Sequence, residues 1–172
     1  MSHKKICDTL SLLVWVTVAT LNSGCYFTYI LESGYNQARI LTSAQPLEEV
    51  YKDPNSPEET KRKLRLIETT KAFAEQNLGL KKDRNYTQFV QLDRPYVSYV
   101  VAAAPRNELK AHTWSFPIVG EVPYKGFFDQ TKANKEAAEL SQKGLDVSVR
   151  GVSAYSTLGY FRDPVLSSML ND

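Results

Sequence analysis

The sequence predicts an α+β protein in which helices come first and a mixed helix-and-strand region follows. Three observations predict it. Apolar residues recur at helical spacing as far as residue 78, and the pattern changes to that of strands after residue 85. A capped helix starting near residue 130 then leads straight into an alternating segment, so helix and strand are interleaved. The 172 residues are the length of one ordinary domain. A hydrophobic share of 42% beside a charged share of 23% is enough to build a packed core.

Residues 1–24 have the three parts of an export signal. Lys4 and Lys5 form a positive start, residues 6–21 are largely apolar, and the small Ser23 and Gly24 lead to Cys25. A cysteine directly after a small pair is what lipid attachment needs: its thiol takes the diacylglyceryl group and its amino group becomes the new N-terminus. Asn22 stands where the usual leucine would, with Leu21 one step earlier. The other reading is an uncleaved anchor, but the apolar run falls short of the roughly 20 residues that cross a bilayer. The expectation is an exported protein, lipid-anchored through Cys25 to a membrane of the bacterial cell envelope and facing the periplasm. Residues 25–172 would be its mature part. Tyr26 rather than Asp follows Cys25, which gives no sign of retention at the inner membrane.

Residues 26–42 read as a helix, with Phe27, Ile30, Leu31, Ala38 and Leu41 roughly on one side. Pro46 interrupts it, Leu47, Val50 and Tyr51 suggest one or two more turns, and Asp53-Pro54-Asn55 is a turn. The next helix has the clearest start. Ser56 can cap, Pro57 suits the first helical position, Glu59 completes a capping box, and Glu58 favours the positive end of the dipole. Leu66, Ile67, Thr70, Phe73, Ala74 and Leu78 cover half of that cylinder as its packing face, and Gly79 is the stop.

Residues 86–92 and 96–102 are rich in aromatic and β-branched types and read as strands separated by Asp93-Arg94-Pro95. Residues 114–122 form a third extended stretch, broken by Pro117 and Gly120. Asp129 caps a helix through Lys143 with Ala133, Ala137 and Leu140 inward, and Gly144 ends it. Leu145, Val147 and Val149 then alternate with Asp146, Ser148 and Arg150, the pattern of a half-buried strand.

The chemistry of the chain is bounded mainly by what it lacks. The 21 basic and 19 acidic side chains give a net charge of +2 and are interspersed, apart from the short run Lys61-Arg62-Lys63. Nucleic acid calls for a clustered basic face, so no nucleic-acid partner is expected. Of the two cysteines, only Cys25 would survive processing, which leaves no internal disulfide and no catalytic thiol. His3 would be lost as well, leaving His112 as a lone loop histidine, so a zinc site built on clustered His and Cys ligands cannot form. Gly151-Val152-Ser153-Ala154-Tyr155 comes near a nucleophile elbow but has Tyr where the second glycine belongs. Asp93, Glu108, Glu121, Asp129, Asp146 and Asp163 are available carboxylates, and spacing pairs none of them. The aromatics Tyr86, Tyr96, Tyr99, Trp114, Tyr124, Phe127 and Phe128 suit core and sheet packing, or the lining of a groove.

Several segments together resemble a known family. They are Trp114-Ser115-Phe116-Pro117-Ile118-Val119-Gly120, Tyr124-Lys125-Gly126-Phe127-Phe128, and the string from Ala154-Tyr155-Ser156-Thr157-Leu158-Gly159-Tyr160-Phe161 to Asp163-Pro164. With Asp93-Arg94-Pro95, Ala102-Ala103-Ala104-Pro105 and the signal before a tyrosine-bearing helix, they resemble the bacterial putative aminopeptidase family. Ser115 stands where cysteine is expected and Lys125 where arginine is usual. The resemblance implies a lipid-anchored zinc peptidase with a zincin-like fold and an H-E-x-x-H helix shortly after the stretch like residues 154–170. No H-E-x-x-H occurs in this sequence, so no catalytic residue and no metal ligand can be carried over.

Two readings follow. Either the chain is a catalytically incomplete N-terminal part of such a peptidase, truncated before the zinc helix, with zinc held by a separate chain. Or it is a non-catalytic, lipid-anchored binding or scaffolding protein. By analogy with zinc peptidases, residues 147–155 would be an edge strand bordering the cleft, with Tyr155 and Thr157 near a peptide substrate.

Overall fold

The computed structural model describes residues 28–116 and 120–170. The export signal, residues 1–24, and Cys25 therefore lie outside the described residues. Contacts divide the chain into two compact units, Met1–Arg39 and Ile40–Asp172. Helix α1 runs over residues 28–42, in agreement with the helical reading of that stretch. The apolar side expected for it is not buried: Ile30 and Leu31 are exposed, and Ile40 is the buried position.

Among its described residues, the second unit contains three small sheets. Strand β1 (Gln45–Pro46) lies antiparallel to β2 (Gln88–Val90), which pairs parallel with β8 (Val165–Leu166). Strand β3 (Ser98–Pro105) is flanked by β6 (Lys125–Phe127) and β7 (Leu145–Val152), both antiparallel to it. Strands β4 (Trp114–Phe116) and β5 (Gly120–Val122) form the third sheet, an antiparallel pair. The stretch read as extended and broken by Pro117 and Gly120 therefore folds back on itself. Gly120 has a φ of 72°, the left-handed region that glycine enters without penalty.

Helix α2 (Leu47–Lys52) follows Pro46 directly and buries Leu47 and Val50. Helix α3 (Glu58–Asn77) begins where the sequence indicates, with Glu58 and Glu59 in its first turn. Its capping differs from expectation. Pro57 holds the cap position without a side-chain bond, and Ser56 Oγ instead donates to the Asp53 carboxylate at 3.3 Å. That carboxylate also accepts from the Asn55 N–H at 2.9 Å, so the turn before the helix captures the hydroxyl. Burial holds the pattern's second correction. Leu64 is 0% exposed and Lys61 only 6%, whereas Leu66 and Phe73 of the expected packing face are 59% and 54% exposed. Gly79, with a φ of 70°, ends the helix as read.

Helix α4 (Gln130–Gln142) follows its sequence signals closely. Asp129 accepts from the Lys132 N–H at 3.0 Å, Ala133 and Leu140 are buried, and Gly144 at a φ of 83° turns the chain into β7. Three buried clusters hold the unit together. Leu47, Val50, Leu64, Phe89 and Val165 join α2 and α3 to the β2–β8 pair. Val101, Ala103, Trp114, Ala133 and Leu140 join α4 to β3 and β4. Val90, Val97 and Leu166, with Ile40, form the third. Each fully buried aliphatic side chain contributes about 1.5–3 kcal/mol, so these three contacts dominate the folding energy. The fold is α+β, as the sequence indicates.

Candidate functional site

Strand β7 is long, alternates half-buried and exposed residues, and stands at the edge of its sheet. Among the described residues, it pairs with β3 alone. Its apolar side, Val147 and Val149, packs on the cluster beneath α4, while Asp146, Ser148 and Arg150 face outward. Gly151 lies against Tyr96, where a Cβ would come within 2.2 Å of the ring, so only glycine admits that packing. Strand pairing stops at Val152, earlier than the expected end at residue 155, and Tyr155 and Thr157 fall in the loop beyond it.

That loop is organised by a buried carboxylate. Asp163, 8% exposed, accepts from the Thr157 N–H at 3.1 Å, from Thr157 Oγ1 at 2.6 Å and from Ser156 Oγ at 3.4 Å. Its own N–H donates to Asn85 Oδ1 at 2.9 Å, and its carbonyl accepts from the Tyr86 N–H at 2.7 Å. A buried carboxylate persists only when its oxygens are satisfied, and here the Ser156–Thr157 turn satisfies them. Tyr86 has a φ of 58°, which delays the start of β2 relative to the sequence reading.

Tyr155 sits apart from Thr157. Its ring packs edge-on against Phe128 at 6.1 Å and joins the third buried cluster. Burial, reinforced by the charge of Asp163, pushes its phenol up to about 12, so it stays protonated at neutral pH. The structure therefore places Tyr155 three and Thr157 five positions beyond the edge strand, one packed against the third cluster and one in the Asp163 turn.

Other polar groups serve packing. Glu136 accepts from Trp114 Nε1 at 3.0 Å and from Lys125 Nζ at 2.8 Å, tying α4 to β4 and β6. His112 donates its N–H to the Ala103 carbonyl at 2.8 Å, and its ring meets Trp114 edge-on at 4.6 Å, in keeping with its reading as a loop histidine. Along the exposed side of α3 runs an open groove of about 430 Å³, lined by Leu66, Ile67, Ala74, Leu80 and Tyr86 and bordered by Lys71 and Asp83. Among the described residues, no three His, Cys, Asp or Glu side chains come together to hold a metal ion. The described residues therefore offer no ligand set that fits the zinc the resemblance implies. No described helix is long and apolar enough to cross a membrane.

The sequence signal for Asp163 was weak because a lone Asp before Pro164 is indistinguishable from a turn former. Its role depends on Asn85, 78 positions away.

The described residues thus form an α+β unit with an edge strand, β7, followed by a loop braced by the Asp163 carboxylate. Residues 28–172 match the family model described as "Putative aminopeptidase", and the chain belongs to that family. No curated protein and no solved structure gives a significant match.

Proposed function

We propose that this chain is the peptide-receiving part of an aminopeptidase, anchored by lipid on Cys25 to a membrane of the cell envelope and facing the periplasm. In this reading residues 28–172 position substrate, and the zinc ligands and water-activating glutamate that the resemblance implies lie outside them. The observation that carries it is the side of β7 left unpaired among the described residues, in a chain of this family. An edge strand presents a row of free N–H and C=O groups that an extended peptide can pair with, while alternating side chains set selectivity. In this reading Tyr155, packed on Phe128, and Thr157, bonded to Asp163, hold the loop that follows that strand and border the substrate through it.

Amide hydrogen exchange tests this reading. An apolar tripeptide with a free amino end should slow exchange in Leu145–Val152. Binding that leaves those amides unchanged would overturn the edge-strand reading. The chain incubated with zinc should not hydrolyse aminoacyl substrates. Chelator-sensitive turnover by residues 1–172 would refute the assignment of the zinc ligands to a position outside them.

A further inference from the structure

The loop between β7 and β8 holds apolar side chains in water. Leu158, Tyr160 and Phe161 are 78%, 74% and 52% exposed. They are not there through slackness. Below them, Asp163 binds the Ser156–Thr157 turn, the Leu158 N–H donates to Ser156 Oγ at 3.1 Å, and the Tyr160 N–H donates to the Thr157 carbonyl at 3.0 Å. Leu158 also has a φ of 55°, a left-handed conformation that is disfavoured for any residue with a Cβ. Strain and exposed apolar surface at one tip, both over-determined by a buried carboxylate, mark a functional surface.

The charge around the tip indicates what it meets. Strands β2 and β8 are parallel, so the segments entering them come from the same end. The bonds of Asn85 and Tyr86 to Asp163 fasten those two segments side by side. Lys81, Lys82 and Arg84 thus reach the end that carries Arg162. All four are exposed, and none pairs with a carboxylate among the described residues. The acids of the same region are spent: Asp83 binds Lys71 at 2.6 Å, and Asp163 is turned onto Thr157. What remains is an apolar, aromatic tip among unpaired cations.

We propose that this end of the molecule docks peripherally on an anionic lipid bilayer. Leu158, Tyr160 and Phe161 enter the interface, and Arg162, Arg84, Lys81 and Lys82 meet the headgroup charge. Leucine and aromatic side chains partition to that depth, tyrosine keeps its hydroxyl at headgroup level, and basic residues gain from the negative surface potential. The docking is independent of lipid on Cys25 and of the peptidase reading. It would set the orientation of the second unit on the membrane.

The test uses the full chain carrying Cys7→Ser and Cys25→Ser, with an environment-sensitive fluorophore on Tyr160→Cys. A control carries the fluorophore on Leu109→Cys, another exposed leucine. Leu109 follows the Pro105 end of β3, and the tip follows Val152, which pairs at the Ser98 end. Vesicles containing phosphatidylglycerol should shift the emission of the residue-160 probe to the blue, and pure phosphatidylcholine vesicles should not. The residue-109 probe should stay unchanged. Arg84→Glu with Arg162→Glu should weaken the vesicle affinity read by the residue-160 probe at least about tenfold. The proposal is overturned if the residue-160 probe shifts no more than the residue-109 probe. An equal shift on the neutral vesicles, or a shift produced only by an apolar peptide, would overturn it too.

Discussion

Helices α3 and α4 were read from the same kind of pattern, and only one buries the face that the pattern names. In α4 the cap, the apolar side and the stop are all realised: Asp129 binds the first turn, Ala133 and Leu140 are buried, and Gly144 ends the helix. In α3 the buried positions are Lys61 and Leu64, with Ile67 packed beside them, while Leu66, Phe73 and Leu78 stay exposed. The difference lies in what each helix has to lie against. Helix α4 covers a three-stranded sheet whose inward valines set its rotation. Among the described residues, the apolar contacts of helix α3 are with α2, Phe89 of β2, Val165 of β8 and Leu170, and this narrow contact selects one stripe. Lys61 is tolerated in that stripe because its ammonium reaches Glu58 at 3.1 Å and its methylenes cover apolar surface. A helix's buried face is thus chosen by its neighbours, and hydrophobicity alone ranks the candidates.

The largest test of this contrast is a set of leucine truncations. Leu64→Ala on α3 and Leu140→Ala on α4 each leave a cavity and should cost about 2–5 kcal/mol in urea unfolding. Leu66→Ala, two residues from Leu64, should stay within about 0.5 kcal/mol, because its side chain is already in water. Equal losses at positions 64 and 66 would mean that α3 turns its other face to a partner in solution.

The same contrast shows how much was legible in the sequence. Fold class, both long helices and the central strands could be read, because period, caps and glycine stops are local signals. The alternation of Leu145, Val147 and Val149 even gave the correct inward side of β7. Strands β1, β6 and β8 are two or three residues long, too short for any period to register, and exist because a longer strand lies beside them. The site was less legible for a related reason. Residues after Val152 could be singled out, but the Asp163–Asn85 bond spans 78 positions, and nothing in either segment announces the other. Tyr155 was read as a cleft residue, and its contact with Phe128 is equally non-local.

A smaller effect is expected at the two helix starts. Asp129→Ala removes a made cap and should cost about 1 kcal/mol. Ser56→Ala should cost less than about 0.5 kcal/mol, since Ser56 bonds an exposed turn and leaves the α3 amides alone. A larger loss at Ser56 than at Asp129 would show that the capping box forms in solution.

The smallest effect distinguishes the helix ends by pH. Near the C-terminal end of α3, Lys71 is desolvated, which alone would lower its pKa, yet its bonds to Asp83 and Glu75 raise it overall. The Asp83 carboxyl is held below its ordinary value by the Lys71 bond first and by the Asn85 N–H second. A carboxyl lowered on folding stabilises the native state above its unfolded pKa, and the gain disappears as pH falls through the folded value. Stability contributed by Asp83 is therefore complete above about pH 4 and lost below it. Because Asp83 is half exposed, solvent screening keeps that contribution below about 1 kcal/mol. Asp83→Asn should remove part of the loss of stability on acidification from about pH 5 to pH 3, and raised salt should diminish the difference between the two proteins. An unchanged acid profile in Asp83→Asn would place the Lys71 contact with Glu75 alone, leaving the segment before Arg84 held only through Asn85.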